Sequence, residues 1–459
     1  MMKVKSPVIV LFCFMLAGVT FSRTPQKKSL DGIWLSDGYG YMIEIGGDTM
    51  RMFEVTSISC IQTGTAKRQS GGAQSDVFAV EGSSRKYEII AGSSDDEKQI
   101  HNPGAASNII VRRAAQKPEA CLRETPNTPE VNFEVFWTTF NAHHAFLKER
   151  GADWAATYRK YRPQVTADTT PDDLFRIFSE MIEPLHDAHT SIRGDGPQQR
   201  FNGRRPDPNR LSSEDQQKTL EIIKSKYVRG ELRSGCNDRV QYGRLNDSTG
   251  YLRISAFSGY TTGGGYEEGA AELAKALDAM VEDCRGLSTL VIDVRLNGGG
   301  SDPYGVAVAS RLTDTKYVAF VKRTRNDPKD PTRFTKPQTT WTIPAAGPRF
   351  TGKVIELIGR DTVSAGETFS MALMGRKPAV IRVGEPTQGV YSDVLGRILP
   401  NGWHFGLPNE VFLNEAGRHF EVVGVPPDIK IAVFPREDLQ AGRDRGIEKA
   451  LEVAAQKHP

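Results

Sequence analysis

Between residues 250 and 383, apolar strands alternate with helices, and this alternation constrains the fold of the 459-residue chain more than any other feature. The segment Thr289–Arg295 is almost continuously apolar, as expected for a strand covered on both faces of a sheet. Such alternation predicts a mixed α/β core, which we place at residues 240–435, with a closing amphipathic helix at 436–456. The predicted core elements are strands at Gly250–Phe257, Thr289–Arg295, Tyr317–Lys322, Lys353–Ile358 and Val380–Val383, and helices at Tyr266–Val281, Pro303–Leu312 and Ala365–Met374.

Three further regions precede this core. Residues 30–115 contain short apolar stretches between clusters of Gly, Ser, Asp and Asn, which predicts a small β-rich accessory domain. Residues 116–128 are interpreted as a linker because they carry prolines and no periodic apolar pattern. Residues 129–200 are predicted to be helical. Their clearest helix starts at the N-cap Thr170 and ends near residues 186–190. Its apolar stripe consists of Leu174, Ile177, Phe178, Met181, Ile182 and Leu185.

The N-terminus has the order of regions found in a secretory signal peptide. Two lysines lie within the first five residues, an apolar run covers Val8–Phe21, and the small residues Thr20 and Ser22 precede a possible cleavage site before Arg23. A buried core helix is the alternative interpretation. The run is too short to span a bilayer comfortably. We therefore expect residues 1–22 to be removed, and the mature protein to be periplasmic or secreted and not an integral membrane protein.

Four cysteines remain after this segment: Cys60, Cys121, Cys236 and Cys284. Four cysteines in an exported protein allow three pairings, and the sequence does not choose among them. Proximity along the chain favours Cys60–Cys121 and Cys236–Cys284. None belongs to a Cys-x-x-Cys motif, so neither a zinc site nor dithiol redox chemistry is favoured.

The charge balance argues against one class of partner. The formal net charge is +3, and no basic stripe is present. A near-neutral chain of this kind is a poor nucleic-acid binder, so we expect no nucleic acid among its partners.

A glycine-rich loop follows the apolar strand of the predicted core. In Asp293–Ser301 (DVRLNGGGS), three consecutive glycines lie at the carboxyl end of the strand, where ligands bind in α/β sheets. Glycines allow backbone N–H groups to approach an oxygen closely, as an oxyanion hole requires. A phosphate-binding loop is the competing interpretation, but no GxxxxGK[ST] motif is present. A plain tight turn is the structural alternative.

Two more segments could carry chemistry. Ser364 lies where the strand Lys353–Ile358 turns into a helix, and a helix N-terminus stabilises developing negative charge. An ordinary N-cap serine is the alternative. His189 follows the well-defined helix, although an isolated histidine is more often a packing or surface residue. His186 and the pair His143–His144 are competing candidates.

Taken together, these segments resemble the C-terminal-processing and tricorn-type serine peptidases, a tail-specific protease-like family. The similarity covers about residues 130–450. The matching segments in chain order are Leu185–Thr190 (LHDAHT), Tyr251–Ile254 (YLRI), Asp293–Gly300 (DVRLNGGG), Ser364–Glu367 (SAGE) and Glu421–Asp428 (EVVGVPPD). Each motif is short, but five in the right order are specific. The resemblance implies a peptidase core of the ClpP/crotonase-like type.

The sequence departs from this family in two informative places. In the Ser–Lys branch a lysine base follows a Gly-Glu-x-Thr-x-Gly stretch, whereas here Val390 follows Gly384–Gly389 (GEPTQG). Valine cannot accept a proton, so the resemblance points to the Ser–His–Glu branch. About 60 residues separate the helical region from Gly250, which is short for the PDZ domain of many relatives, so we expect none.

The resemblance then implies a set of roles. Ser364 is the expected nucleophile, His189 the general base, and Glu421 the carboxylate that orients the imidazole. The expected oxyanion hole consists of the backbone amides of Ala365 and of Gly299 or Gly300. Supporting roles fall to four residues: Arg295 and Asn297 in the loop, Glu367 in the first helical turn, and Asp428 in a turn.

This chemistry needs no metal and no cofactor, and it acts on a peptide or protein substrate. The first alternative is a catalytically inactive relative that binds a peptide or an apolar ligand on the same scaffold. A general α/β hydrolase acting on esters is a third hypothesis. The absence of a Gly-x-Ser-x-Gly motif around Ser364 counts against it.

Overall fold

The computed structural model describes residues 29–71, 75–83, 85–207 and 209–456. The predicted signal peptide lies outside these ranges. Within them, no helix is long and apolar enough to cross a membrane.

The N-terminal region is a closed antiparallel barrel of eight strands. These strands are β1 (Gly32–Ser36), β2 (Tyr41–Gly46), β3 (Thr49–Val55), β4 (Cys60–Gly71), β5 (Ser75–Val80), β6 (Lys86–Ala91), β7 (Glu97–His101) and β8 (Ile109–Ala114). Strand β1 pairs with both β2 and β8, which closes the barrel without a free edge. Alternate side chains such as Trp34, Phe78 and Ile100 fill the interior.

The segment after the barrel is tied to it. A disulfide joins Cys60 at the start of β4 to Cys121 in the 3₁₀-helix Glu119–Leu122. The backbone N–H of Cys60 also donates to Thr125 Oγ1 at 3.0 Å. The expected pairing of Cys60 with Cys121 is therefore present.

The second expected pairing, Cys236–Cys284, is wrong. Both thiols are free and buried in the apolar core of the C-terminal half. Burial raises the pKa of each thiol to about 11. Buried protonated cysteines of this kind pack as small apolar side chains.

Three helices follow: α1 (Pro129–His143), α2 (Trp154–Tyr161) and α3 (Pro171–Ile182). Helix α3 starts as its sequence predicts, because Thr170 Oγ1 accepts the N–H of Asp173 at 3.2 Å. Its apolar stripe packs on α1 and on strands from the C-terminal half. A 3₁₀-turn, Glu183–Leu185, ends the helix immediately before His186.

The remaining chain forms three sheets and six further helices in the described part. The strands are β9 (Ser191–Arg193), β10 (Arg200–Asn202), β11 (Arg229–Gly235), β12 (Val240–Arg244), β13 (Thr249–Ile254), β14 (Thr289–Asp293), β15 (Tyr317–Thr324), β16 (Gln338–Thr342), β17 (Lys353–Ile358), β18 (Ile381–Gly384), β19 (Val394–Ile398), β20 (His404–Pro408), β21 (Glu410–Leu413) and β22 (Ile429–Lys430). The helices are α4 (Ser213–Ile222), continued by the π-helix Ile223–Tyr227, α5 (Tyr266–Asp283), α6 (Asp302–Ser310), α7 (Ala365–Ala372), α8 (Arg436–Gln440) and α9 (Arg445–Ala455).

The central sheet has seven strands in the order β11-β12-β13-β14-β17-β18-β22. From β13 onward the strands are parallel, as the alternating sequence predicts. Helices α5, α6 and α7 contribute to the core on one face, and α9 packs on the other. The mixed α/β class predicted from the sequence is confirmed.

The two smaller sheets bring distant segments together. One has the order β10-β9-β20-β19 and joins the chain just after His189 to the chain just after Asp393. The other has the order β16-β15-β21.

The closing helix differs from its prediction. The sequence predicts one helix over 436–456, but the chain forms α8 and α9 with a break between them. Gly442 in the break has φ +61°. Asp444 then caps α9 by accepting the N–H groups of Gly446 and Ile447.

Candidate active site

Ser364 occupies a strained turn between β17 and α7. Its backbone has φ +58° and ψ −123°, which a residue with a side chain rarely adopts. Its side chain makes no capping hydrogen bond, so the ordinary N-cap interpretation does not describe it. A strained strand-to-helix turn of this kind lifts a nucleophile away from the sheet.

The glycine loop packs directly against this serine. A Cβ placed on Gly299, which has φ +84°, would lie 2.7 Å from Ser364 Cβ. The N–H of Gly299 donates to Asn297 Oδ1 at 2.9 Å and is therefore occupied. The N–H groups of Gly300 and Ala365 have no partner in the described part of the chain. Of the predicted oxyanion donors, these two amides are the ones available.

We call residues 389–393 the bridging segment, because their backbone contacts each of the three predicted catalytic residues. The N–H of Ser364 donates to Val390 O at 2.9 Å. The N–H of Tyr391 donates to Glu421 Oε2 at 3.0 Å. The backbone of Ser392 interacts with the His189 imidazole. The bridging segment thus connects the serine, the glutamate and the histidine.

Glu367 holds the start of the bridging segment. It is fully buried, and its carboxylate accepts the N–H groups of Gly389 and Val390, each at 2.7 Å, and the Thr387 hydroxyl at 2.5 Å. Burial raises the pKa of Glu367 to about 7. The sequence predicts only a charge in the first helical turn, whereas this carboxylate organises the loop beside Ser364.

Glu421 lies in a buried ionic network. Its Oε1 accepts Arg150 Nη2 at 2.9 Å, and Arg150 Nε lies 2.9 Å from Asp187 Oδ2. Burial and the neighbouring Asp187 raise the pKa of Glu421 to about 8, against the opposing charge of Arg150. The site therefore holds a carboxyl whose proton is retained more strongly than usual.

His189 follows the helical region and faces this network. Its N–H donates to Asp187 Oδ1 at 2.8 Å, which fixes the backbone of the residue. Burial lowers the pKa of His189, while Asp187 and Asp393 oppose that decrease. The Nδ1 atom is buried and has no hydrogen-bond partner among the residues described. The imidazole is consequently neutral near pH 7 and retains an unsatisfied nitrogen.

Direct triad contacts are not present in this conformation. Within the described ranges, no hydrogen bond joins His189 to Ser364 or to Glu421. The geometry places the three residues around the bridging segment without bonding them to one another. Catalytic hydrogen bonds often form only in the substrate complex.

The competing histidines have other environments. His186 is exposed and adopts φ +50° at the end of the 3₁₀-turn. His143 and His144 are buried among helices, and burial lowers the pKa of His143 to about 3.

The supporting residues of the glycine loop are well bonded. Arg295 is 1 % exposed and bridges Asp293 and Asp444, with Nη2 2.6 Å from Asp293 Oδ2. Asn297 Nδ2 donates to Ile254 O at 2.9 Å. Asp428 accepts the N–H of Arg382 at 2.7 Å and stabilises the turn before β22.

Arg150, Lys322 and Glu410 are not predicted as site residues from the sequence, and Asp187 appears there only as part of the motif LHDAHT. Lys322 ends an apolar strand in the sequence, where a charged residue normally marks the start of solvent exposure. In the structure it is 3 % exposed and lies 2.7 Å from Asp393 and 3.0 Å from Glu410. Burial lowers the pKa of Lys322, but these carboxylates outweigh it and hold the pKa well above its ordinary value, so the ammonium is a fixed charge and no general base.

No group of three or more His, Cys, Asp or Glu side chains suited to a metal ion occurs in the described residues.

Comparison with known families gives two matches along the chain. Residues 248–431 match the model described as peptidase family S41. Residues 125–183 match the tricorn protease C1 domain. The two matches follow each other in the order expected from the sequence motifs.

A curated relative and two solved structures are similar to this chain. The C-terminal processing peptidase of the chloroplast of Tetradesmus obliquus is 28 % identical over 191 residues, which are 41 % of this chain and 36 % of that protein. The match thus spans about a third of the relative's length. A protein from Parabacteroides merdae, described as a candidate peptidase, has a TM-score of 0.61 and 25 % identity over 72 % of this chain and 98 % of its own. Mature CPAF has a TM-score of 0.51 and 12 % identity over 71 % and 96 %, a likeness of fold alone.

Proposed function

We propose that this chain, whose residues 248–431 match the model of peptidase family S41, is a serine peptidase in which Ser364 is the nucleophile, His189 the base and Glu421 the third member. The observation that carries the proposal is the conformation of Ser364. Its strained turn is packed against Gly299 and lies beside the amides of Gly300 and Ala365, for which the described residues provide no partner. An N-cap serine or a plain tight turn requires neither feature.

The proposed reaction has two halves, acylation of Ser364 and hydrolysis of the acyl-enzyme, and each catalytic group acts in both. Ser364 Oγ attacks the carbonyl carbon of the substrate while His189 accepts the hydroxyl proton. The amides of Gly300 and Ala365 stabilise the oxyanion, with Gly299 shaping the loop. The C–N bond then breaks, and the leaving amine takes the proton from His189. Water repeats the sequence on the acyl-enzyme and releases the acid.

Glu421 supports the base through a chain of contacts. Arg150 links Glu421 to Asp187, and Asp187 holds the backbone N–H of His189. Glu421 also accepts the N–H of Tyr391 in the bridging segment. In this proposal it orients the base and the segment that binds Ser364.

The proposal includes export to an oxidising compartment. The Cys60–Cys121 disulfide supports it, because such bonds persist mainly outside the cytosol. The predicted signal peptide at residues 1–22 supplies the route.

Labelling with a fluorophosphonate probe tests the proposal. We expect the wild-type protein to be labelled at Ser364, and both Ser364→Ala and His189→Ala to lose the label. His186→Ala is the matched control, because that histidine is exposed three residues away and should keep full labelling. A folded wild-type protein that takes no label and cleaves no member of a peptide library would contradict a peptidase and favour the inactive peptide-binding relative.

A further inference from the structure

A buried charge cluster beside the site is not used by the proposed triad. Lys322 Nζ lies 2.7 Å from Asp393 Oδ2 and 3.0 Å from Glu410 Oε2. The hydroxyl of Tyr39, which lies between β1 and β2 of the barrel, donates to Glu410 Oε1 at 2.5 Å. Lys322 and Glu410 are each 3 % exposed at the side chain, whereas Asp393 is 43 % exposed. The cluster therefore runs from the barrel to a carboxylate with an open face.

Strand register brings that carboxylate next to His189. In β20, Gly406 is paired with Ser191 of β9 on one side and with Gly396 of β19 on the other. Two residues further along β20, Pro408 is paired with Val394. Continuing the β9 pairing by the same two residues places His189 at this level. Asp393 is thus adjacent to the strand position that faces the histidine.

Three charged groups act on the imidazole: Asp187, Asp393 and Arg150. The two carboxylate oxygens of Asp187 already contact Arg150 Nε and the backbone N–H of His189. Burial raises the pKa of Glu421 to about 8, so this carboxyl is largely protonated near neutral pH. Burial also acts to raise the pKa of Asp393, but Lys322 outweighs it and keeps the pKa below its ordinary value. Asp393 is therefore an ionised carboxylate that keeps a solvent-exposed side, and it interacts electrostatically with His189.

We propose that Asp393 is a positioning residue for His189. Lys322, Glu410 and Tyr39 hold Asp393 in place, and because Tyr39 belongs to the barrel, the barrel contributes to the arrangement of the catalytic site. The inference rests on the proposed function, because it adds an ionised carboxylate beside the proposed base, on which Glu421 acts through Arg150 and Asp187. An imidazole that accepts a proton from Ser364 becomes positively charged, and a fixed carboxylate beside it stabilises that charge.

The barrel reaches the site at a second point. Ser301 Oγ, at the end of the glycine loop, donates to Gly104 O at 2.7 Å. Gly104 has φ +88°, and a Cβ there would lie 3.0 Å from the Tyr266 ring. The barrel therefore contacts both the glycine loop beside Ser364 and the charge cluster beside His189.

The test is the pKa of His189, measured by NMR on protein with ¹⁵N-labelled histidines. The His189 signal is assigned by its loss in His189→Gln. In Asp393→Asn we expect the pKa of His189 to fall by about one unit, because an attractive negative charge is removed. Asp283→Asn is the matched control: its carboxylate is 30 % exposed and pairs with Arg233 at 2.7 Å, away from the site. An unchanged pKa of His189 in Asp393→Asn would overturn the proposal.

Two further variants keep the test decisive if Asp393→Asn does not fold. Asp393→Glu retains the charge and should leave the pKa of His189 close to the wild-type value. Tyr39→Phe removes the donor to Glu410, so Glu410 holds a proton more tightly and Lys322 neutralises Asp393 more fully. A smaller fall in the pKa of His189 is then expected, and no change would remove the barrel from the proposal.

Labelling rates separate this inference from the proposed function. At pH 7, Asp393→Asn should react with the fluorophosphonate at least about tenfold more slowly, and the acid limb of its pH profile should move to lower pH. Asp393→Glu should recover most of the rate. If wild-type protein is not labelled, the proposed function fails, whereas the NMR titration still decides whether Asp393 acts on His189.

Discussion

At the scale of single residues, Ser364 combines a functional position with a conformational cost. A residue other than glycine at φ +58° and ψ −123° is strained by about 1–3 kcal/mol. The surrounding contacts maintain this conformation: its N–H is bonded to Val390 O, and α7 begins at the next residue. A serine with a purely structural role, such as an N-cap, does not need this strained conformation.

This strain predicts the effect of replacing the serine. Ser364→Gly should unfold at a higher free energy than Ser364→Ala, by about 1 kcal/mol, because glycine adopts the positive φ without strain and loses part of that gain to chain entropy. Urea unfolding of the two variants measures the difference. Both lack the hydroxyl and serve as controls for each other. An alanine variant that is as stable as the glycine variant would show that the turn is relaxed.

At the scale of elements, the bridging segment determines how the site is arranged. It has no regular secondary structure, and its position depends on Glu367 at its start and Lys322 at its end. A buried carboxylate that accepts two backbone N–H groups replaces the pairing that a strand would have supplied.

Replacing Glu367 should therefore loosen this element selectively. In Glu367→Gln the amide NH₂ faces a backbone N–H, so one buried donor is left unsatisfied, at a cost of about 1–3 kcal/mol. We expect faster hydrogen exchange in peptides covering residues 387–393 and slower labelling of Ser364. Peptides from the barrel, such as those covering β2 and β3, provide the internal control. Uniform acceleration across the chain would instead indicate a global loss of stability.

Regular elements with strong local patterns could be predicted from the sequence. Helix α3 has an N-cap, a proline in the first turn and an unbroken apolar stripe, and β17 has the predicted bounds Lys353–Ile358. Barrel strands with mostly polar sequences carry no such local pattern. For example, β4 (Cys60–Gly71) turns few apolar side chains inward, and only its pairing with β3 and β5 makes it a strand.

The residues of the candidate site also fall into two groups, those with a local signal in the sequence and those without one. Its motif residues could be found from the sequence, because glycine runs and a serine at a strand–helix junction leave local signals. Arg150, Lys322 and Glu410 leave none, because each acquires its role from a partner between 71 and 371 residues away. The break between α8 and α9 did leave signals, Gly442 and Asp444, which the amphipathic pattern concealed.

At the scale of the whole molecule, the barrel and the C-terminal half form a connected structure around the site. The Ile398 N–H donates to Glu54 Oε2 at 2.9 Å, and Asn108 pairs with Gln338 through two hydrogen bonds. Tyr39 belongs to the barrel in sequence but packs in the apolar cluster of the helical region. The region interpreted from sequence as an accessory domain therefore shares a core with its neighbour.

The buried titratable groups predict how stability depends on pH. Burial, with neighbouring carboxylates in three of the four cases, raises the pKa of Glu367 and Glu410 to about 7 and that of Asp302 and Glu421 to about 8, against ordinary values of 4.5 and 3.8. The folded state therefore binds more protons than the unfolded state between these values, and these carboxyls lower the stability as the pH rises from about 4.5 to about 8. His143, His144 and His189 have the opposite sign: burial lowers each pKa, so stability decreases as the pH falls below about 6.5.

We accordingly expect maximal stability near pH 5, with a net uptake of about two protons on folding near pH 7. This uptake corresponds to a loss of about 3 kcal/mol in the free energy of unfolding between pH 6.5 and pH 7.5. Urea unfolding of the Ser364→Ala variant, which excludes self-digestion, measures the profile at constant ionic strength. Adding Glu367→Gln removes one of the four carboxyls and should make the decline shallower. A free energy that stays constant or increases from pH 6.5 to 7.5 would mean that these carboxyls are ionised in the folded protein and are stabilised by Lys322 and Arg150 more strongly than burial opposes them.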